Sequence, residues 1–376
     1  MKNLLFVCLI ISVLCACGDG EEIALKTKAA SIPLTNESYA ESRVRLDQIL
    51  EASPNDFEAL LESAIVALEH YDYATAYADA ARAFRLDSTS NRARMMYALS
   101  IINQGNRTVA DVSRAQSYLQ IVVNNDLKNT KAMVGLANTY ALQQDFDEAR
   151  LWIDKALVVS PKFFDAHVLK GSMYKVLSAA LNGEDGSQAL SRAYMDSAIN
   201  TYSRVSQYYP DRPEIYIELG ILFQQSNNER CVDQFYSAVQ LKPENLDYNY
   251  ALAYAYGLFG QERLAMQVYG EMQELDSLYS EAYCQMGQIY QKKYGELDSA
   301  LNMYREVISI EPSHIDAYVN MGVIYAEQKD YTRALKSYSK ALSILPEDRS
   351  PFMPLSTFIE NQNLAREYAD ELKNKL

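Results

Sequence analysis

The sequence predicts an all-α protein, an α-solenoid of tandem helix-turn-helix repeats, and three observations carry that prediction. Helix formers dominate, because long runs rich in Ala, Leu, Glu, Gln and Lys are interrupted by only 14 Gly and 10 Pro in 376 residues, too few turn formers for a many-stranded chain. A small residue followed by an aromatic recurs at a nearly constant interval along most of the chain, the signature of an internal repeat. Each recurrence is followed by a stripe of apolar residues at spacings of four and three and then by a proline, which reads as a second helix and its stop.

The first element is an export signal. Lys2 is followed by an apolar run from Leu4 to Leu14, broken by Ser12 alone, and then by Cys15, Ala16 and Cys17. Those 11 residues are about half of the ~20 a helix needs to cross a bilayer, and small residues suited to cleavage end them. The stretch Leu14-Cys15-Ala16-Cys17 resembles the lipobox of bacterial lipoproteins. That resemblance implies a signal peptide over residues 1–16, removed on export, and a lipid anchor on Cys17, where several acyl chains hold a protein stably to a membrane. Residues 17–37 form an acidic tether, opening with Gly18-Asp19-Gly20-Glu21-Glu22, a tract similar to the acid-rich export signal of surface lipoproteins of Bacteroidota. The expected location is the cell envelope, lipid-anchored at the outer membrane, with periplasmic face and cell surface both open. Cys8 and Cys15 leave with the signal, so Cys231 and Cys284 are the remaining thiols, in helices of different repeats, and a disulfide framework is not expected.

Ser38 to Ser53, closed by Pro54, reads as the second helix of a unit that lacks its first, giving an N-terminal half-repeat over 38–56. The repeats follow. The first-helix pattern appears as Leu136-Ala137 with Tyr140, Leu219-Gly220 with Phe223, Leu252-Ala253 with Tyr256, Met286-Gly287 with Tyr290, and Met321-Gly322 with Tyr325. From Leu219 onward the steps are 33, 34 and 35 residues. The second-helix stripe appears as Ala149, Ile153, Ala156 before Pro161, as Cys231, Phe235, Ala238 before Pro243, as Ala300, Tyr304, Val307 before Pro312, and as Ala334, Tyr338, Ala341 before Pro346. Small residues at the crossing let two helix backbones approach while the aromatic fills the space beside them.

This pattern resembles the tetratricopeptide repeat, with its Leu-Gly pair and Tyr in the first helix, Ala-Tyr-Ala run in the second and closing Pro. The resemblance implies a right-handed superhelix and eight repeats over 57–348: 57–90, 91–129, 130–163, 164–212, 213–245, 246–279, 280–314 and 315–348. The second and fourth units run 5 and 15 residues over the 34 of the family, and Tyr97-Ala98 and Lys170-Gly171 replace their Leu-Gly pair. The extra length of the fourth, around Ala179 to Ser191, reads as a loop. Residues 349–376 are expected to hold capping helices, Phe352 to Glu360 and Leu364 to Leu376, because a solenoid must close its last apolar face.

Repeats from 57 to 348 leave no room for a separate catalytic domain, and the solenoid carries no Gly-x-Ser-x-Gly, phosphate loop or Cys-x-x-Cys. His70, His167 and His314 fall in different repeats with no second ligand at helical spacing, so neither a metal nor a cofactor is expected. Asn182 to Gly186 reads as an inserted turn, and the Asp-Ser-Ala triplets at 196–198 and 298–300 as helix starts. A net charge of -14, from 49 acids against 35 bases, repels a phosphate backbone and argues against nucleic acid. The expectation is binding rather than catalysis.

In the family that the chain resembles, the second, fifth, ninth and twelfth residues of each unit face a concave groove. Here they include Glu214, Ile217, Ile221 and Gln224, then Asp247, Tyr250, Tyr254 and Gly257, then Glu281, Cys284, Gln288 and Gln291, then Asp316, Val319, Val323 and Ala326, while Asp165 opens the fourth unit's set. An acid begins the stripe in five consecutive units, and Tyr250 and Tyr254 sit at its middle. The binding candidates are therefore Ile217, Ile221, Asp247, Tyr250, Tyr254, Glu281, Gln288, Asp316, Val319 and Val323. An acidic edge over an aromatic floor suits a protein or peptide segment with basic and apolar side chains. The Lys and Asn set with which clamp-type members grip a carboxylate terminus is not evident, and no residue demands self-association. The expected function is a lipid-anchored scaffold for protein interaction in envelope assembly, secretion or pilus biogenesis. A surface-displayed structural or nutrient-handling lipoprotein is the alternative.

Overall fold

The structure, a computed structural model, describes residues 39–181, 187–348 and 355–373. The signal peptide, Cys17, the tether and the turn at 182–186 lie outside the described residues. What is described is all-helical, with 18 α-helices and no strand, as the sequence predicts. Among the described residues no helix is long and apolar enough to cross a membrane. The chain divides into two compact units at Pro210 and Asp211.

The first unit opens with α1 (Tyr39–Ala52) and continues with the pairs α2 (Phe57–Glu69) and α3 (Tyr73–Leu86), α4 (Asn91–Ile102) and α5 (Val109–Asn125), α6 (Thr130–Leu142) and α7 (Phe146–Val159), and α8 (Phe164–Ala180) and α9 (Gln188–Tyr208). The single helix α1 is tied down by polar contacts: Tyr39 donates to Asp72 at 2.7 Å and stacks on His70, and Arg43 donates to Ser63, which itself donates to the buried Asp79 at 2.6 Å. The second unit holds α10 (Pro213–Gln225) and α11 (Arg230–Leu241), α12 (Leu246–Leu258) and α13 (Glu262–Leu275), α14 (Ser280–Ile289) and α15 (Leu297–Ile310), α16 (Ile315–Glu327) and α17 (Tyr331–Leu342), and a last helix α18 (Leu355–Lys373).

Local chemistry sets these boundaries. Asp56, Asp72, Ser90, Thr108, Asn129, Asp145, Asn245 and Asp330 each accept a hydrogen bond from a backbone N–H in the first turn of the helix that follows, a cap that contributes about 1 kcal/mol. Within most pairs the chain turns through one residue in the left-handed region: Tyr71, Gln144, Asn227, Gly260, Gly295 and Lys329 have φ between 49° and 75°. Four of these six are not glycine, so tertiary packing holds a conformation that their side chains disfavour.

The cores are the stripes read from the sequence. Ala149, Ile153, Ala156, Cys231, Phe235, Ala238, Ala300, Tyr304, Val307, Ala334 and Ala341 are all 0% exposed and Tyr338 is 1%. The small residue of the first helix and the large residue of the second are complementary halves of one contact. A Cβ added at Gly220 would lie 2.6 Å from Cδ1 of Phe235, and at Gly287 2.7 Å from Cε1 of Tyr304, so only glycine admits the ring there. First helices of successive pairs also pack on one another, α12 on α14 and α14 on α16 in the second unit and α2 on α4 in the first. The first helices therefore form one side of each unit.

The 35-residue repeat has a physical cause. Its extra residue is absorbed where α14 widens into a π-helical turn, Tyr290–Tyr294, closed by Gly295 at φ 68°, the usual way an insertion is tolerated without breaking a helix.

Three expectations are corrected. The added length of the fourth unit is not mainly a loop, because it lengthens α8 to 17 residues and α9 to 21, and the reciprocal bonds Ser178 Oγ to Ser191 O and Ser191 Oγ to Ser178 O, both 2.8 Å, fasten the extension. Asp196-Ser197-Ala198 lies inside α9 and not at a helix start: Ser197 satisfies its hydroxyl on the carbonyl of Ala193 at 2.7 Å, and Ala198 is buried. The triplet at 298–300 does open a helix, α15. Two C-terminal helices were expected and one continuous α18 is found, since Asn361-Gln362-Asn363 contains no residue that must break a helix. Phe358, Ala365, Ala369 and Leu372 on α18 are buried, and Asn361 donates to Asp316. The start of the expected helix at Phe352 and the residues after Lys373 lie outside the described residues.

Candidate functional site

All ten groove candidates belong to first helices of the second unit, and the structure sorts them by accessibility. Ile217 and Ile221 on α10 and Val319 on α16 are 4, 8 and 6% exposed. These three are buried and present little surface to a partner. Asp247, Tyr250, Glu281, Gln288, Asp316 and Val323 are half-buried, and Tyr254 is 40% exposed. Of the four acids that open the stripe in this unit, Glu214 is exposed, while Asp316 accepts from Asn361 and Glu281 faces His314.

The aromatic floor is a real assembly. Tyr250 stacks on Tyr254 with centroids 6.2 Å apart and planes 23° from parallel, and it tilts against Tyr269 and Tyr279, each at 6.1 Å. Gln285 donates to its hydroxyl at 3.2 Å. Tyr269 is 1% exposed, so the ring of Tyr250 rests on a fixed base and Tyr254 presents the outer face. Burial, reinforced by Glu281, pushes the Tyr250 and Tyr279 phenols above their ordinary value, which keeps both neutral. These rings therefore offer apolar faces beside carboxylates, a surface that receives aliphatic and cationic side chains.

Next to this floor lies a second cluster, of three side chains from two elements. Glu281 and Cys284 stand three residues apart on α14, on one face of the helix, and His314 is the residue immediately before α16. One ligand atom from each of the three lies within 4.8 Å of the others. His314 is 0% exposed and neither ring nitrogen has a hydrogen-bond partner, the nearest carboxylate oxygen being Glu281 Oε1 at 3.6 Å from Nε2. Burial alone would lower the imidazole's pKa, but the carboxylates of Glu281, Asp316 and Glu311 outweigh it and the net direction is upward. Burial pushes the Cys284 thiol up, and Glu281 and Asp316 push the same way. Burial also raises Asp316.

Helical spacing does not reveal this cluster because the partners come from opposite ends of one repeat. His314 closes the unit 280–314 and meets that unit's second and fifth residues, Glu281 and Cys284. The preceding unit shows the same geometry, since its last residue, Tyr279, packs against its fifth, Tyr250. Pairing the fifth residue with the last would have found both contacts in the sequence.

The fold defines a class, a protein of tandem packed helix pairs. Three stretches, residues 107–162, 280–314 and 315–348, match tetratricopeptide repeat models. Among solved structures it is similar to a tetratricopeptide repeat protein from Parabacteroides merdae, with 16% identity over 68% of this chain and 93% of that one and a TM-score of 0.44. It is also similar to a human IFIT1 dimer with PPP-AAAA, at 17% identity over 89% and 78% of the two chains with a TM-score of 0.49. A MamA crystal structure matches at 22% identity over 51% of this chain and 98% of its own, with a TM-score of 0.36. No curated protein matches this chain.

Proposed function

We propose that the chain is a lipid-anchored scaffold that holds a protein partner against the first helices of its second unit and works in the bacterial cell envelope, in assembly, secretion or pilus biogenesis. Tetratricopeptide repeats suit a protein-interaction role. The observation that carries the reading is the aromatic floor: Tyr254 is 40% exposed on a ring stack that Tyr269 and Tyr279 immobilise. A rigid, half-exposed aromatic pair beside half-buried acids loses little entropy on binding and gains from apolar and cationic contacts. The partner best matched is a basic, amphipathic segment. The anchor rests on the lipobox-like Leu14-Cys15-Ala16-Cys17.

A photoreactive residue in place of Tyr254, introduced in the native cells, tests the site. One dominant protein adduct that disappears on Tyr250→Ala supports the reading and identifies the partner. Background labelling that Tyr250→Ala leaves unchanged refutes it for this face. Cys17→Ser tests the anchor: release of the chain from the membrane fraction is expected, and unchanged membrane association overturns that part.

A further inference from the structure

We propose that Glu281, Cys284 and His314 form a binding site for a zinc-class transition-metal ion within the seventh repeat. The three side chains converge from two elements, with one ligand atom of each within 4.8 Å of the others. Around a tetrahedral zinc ion with bonds of about 2.0–2.3 Å the ligand atoms stand roughly 3.3–3.8 Å apart. The separation of His314 Nε2 from Glu281 Oε1, 3.6 Å, already lies in that range. Closing the remaining gap needs side-chain movement on the order of 1 Å or less.

An independent observation points the same way. His314 is fully buried and neither ring nitrogen makes a hydrogen bond, and Oε1 of Glu311 nearby in sequence is also buried without a partner. Buried polar atoms almost always find partners, and leaving them without any costs about 1–3 kcal/mol each. A metal ion supplies the missing partner for one of the two imidazole nitrogens. The donor set chooses the ion: a sulfur and an imidazole nitrogen beside one carboxylate favour zinc over calcium or magnesium, which take oxygen ligands. Three protein ligands leave a fourth position for water or for a partner's side chain. Cys284 and Glu281 belong to the first-helix stripe that carries the aromatic floor, and the ion would stiffen the junction between α14 and α16.

The test uses the full chain carrying Cys8→Ser, Cys15→Ser and Cys17→Ser, so that Cys231 and Cys284 are its remaining thiols, kept reduced and titrated with cobalt(II) alone and then with zinc. One equivalent of cobalt is expected to bind, with a near-ultraviolet thiolate band and the visible bands of a four-coordinate ion, all bleached by one equivalent of zinc. Cys284→Ser should abolish the thiolate band, and Cys231→Ser should leave it intact. Cys284 and His314 are buried, and their variants could unfold. Glu281→Gln, isosteric and at a position that is only partly buried, is therefore the deciding variant: it should stay folded by circular dichroism and lose about tenfold or more in zinc affinity. No stoichiometric cobalt binding, a thiolate band that survives Cys284→Ser, or zinc affinity unchanged in folded Glu281→Gln overturns the site.

Discussion

Alanine at Gly322 and alanine at Gly270 should change stability in opposite directions, although both glycines sit inside helices, α16 and α13. In a helix interior the exchange of glycine for alanine is favourable by about 1 kcal/mol. At Gly270 nothing lies within 4 Å of the added Cβ, so the full gain of about 0.5–1 kcal/mol is expected. At Gly322 the Cβ would lie 2.6 Å from Cδ1 and 2.7 Å from Cζ of Tyr338. That ring cannot retreat freely, because Tyr338 is 1% exposed and its far side meets Tyr368 of α18 with centroids 5.6 Å apart. Overpacking of this kind costs about 1–3 kcal/mol, which exceeds the helix gain and leaves a net loss of about 1–2 kcal/mol. Repeat proteins do not always unfold as one unit. The assay is therefore urea denaturation together with amide hydrogen exchange of α17 and α18, where the loss should be localised. Tyr338→Leu, which removes the ring edge, should restore tolerance of alanine at 322 in a double-mutant cycle. A Gly322→Ala protein as stable as Gly270→Ala, or one whose damage is spread evenly along the chain, would show that the Tyr338 ring does not fix the crossing.

His167 gives the first unit a pH dependence. Burial lowers its pKa, Arg204 and Lys170 act in the same direction, and the 2.9 Å hydrogen bond to the Pro161 carbonyl opposes them. The unfolded chain thus takes the proton more readily, so the contribution to stability is complete above the unfolded value of about 6.5 and is lost as pH falls below it. His167→Gln, which can keep the bond to Pro161, should show a shallower loss of stability between about pH 6.5 and 5 than the unsubstituted chain, and equal slopes would refute the assignment. Lys329 occupies the left-handed region at φ 59°. Lys329→Gly should therefore raise stability by about 0.5–1 kcal/mol in thermal unfolding, the relief of strain exceeding the entropy of glycine, and a loss would show that the turn is not strained.

The fold was legible because its determinants are periodic. Trios such as Ala334, Tyr338 and Ala341 announce a buried stripe by their spacing alone, and all three are buried. The failures have local causes. Nothing in the sequence around Asp196 distinguishes a helix interior from a helix start, because what decides is that α9 is extended by the Ser178–Ser191 bonds from the facing helix. In the candidate site, spacing groups Ile217, Ile221 and Tyr254 as positions of one kind, yet the first two are buried and Tyr254 is 40% exposed, because exposure depends on tertiary neighbours that one helix's periodicity does not record. The contact among Glu281, Cys284 and His314 was invisible to a reading confined to neighbours three and four residues apart, since it closes over a whole repeat.

That closure, in which a repeat's last residue packs against its fifth, has a consequence for how such proteins diversify. Tyr250 with Tyr279 and Cys284 with His314 occupy equivalent places in consecutive repeats, one as an apolar plug and the other as a polar nest. Neither pair contains the Gly or Ala at the helix crossing or the large residue that fills it. At these two junctions, then, the residues that differ in chemistry are separate from the residues that hold the helix crossing, so the contents of the slot vary while its frame stays the same.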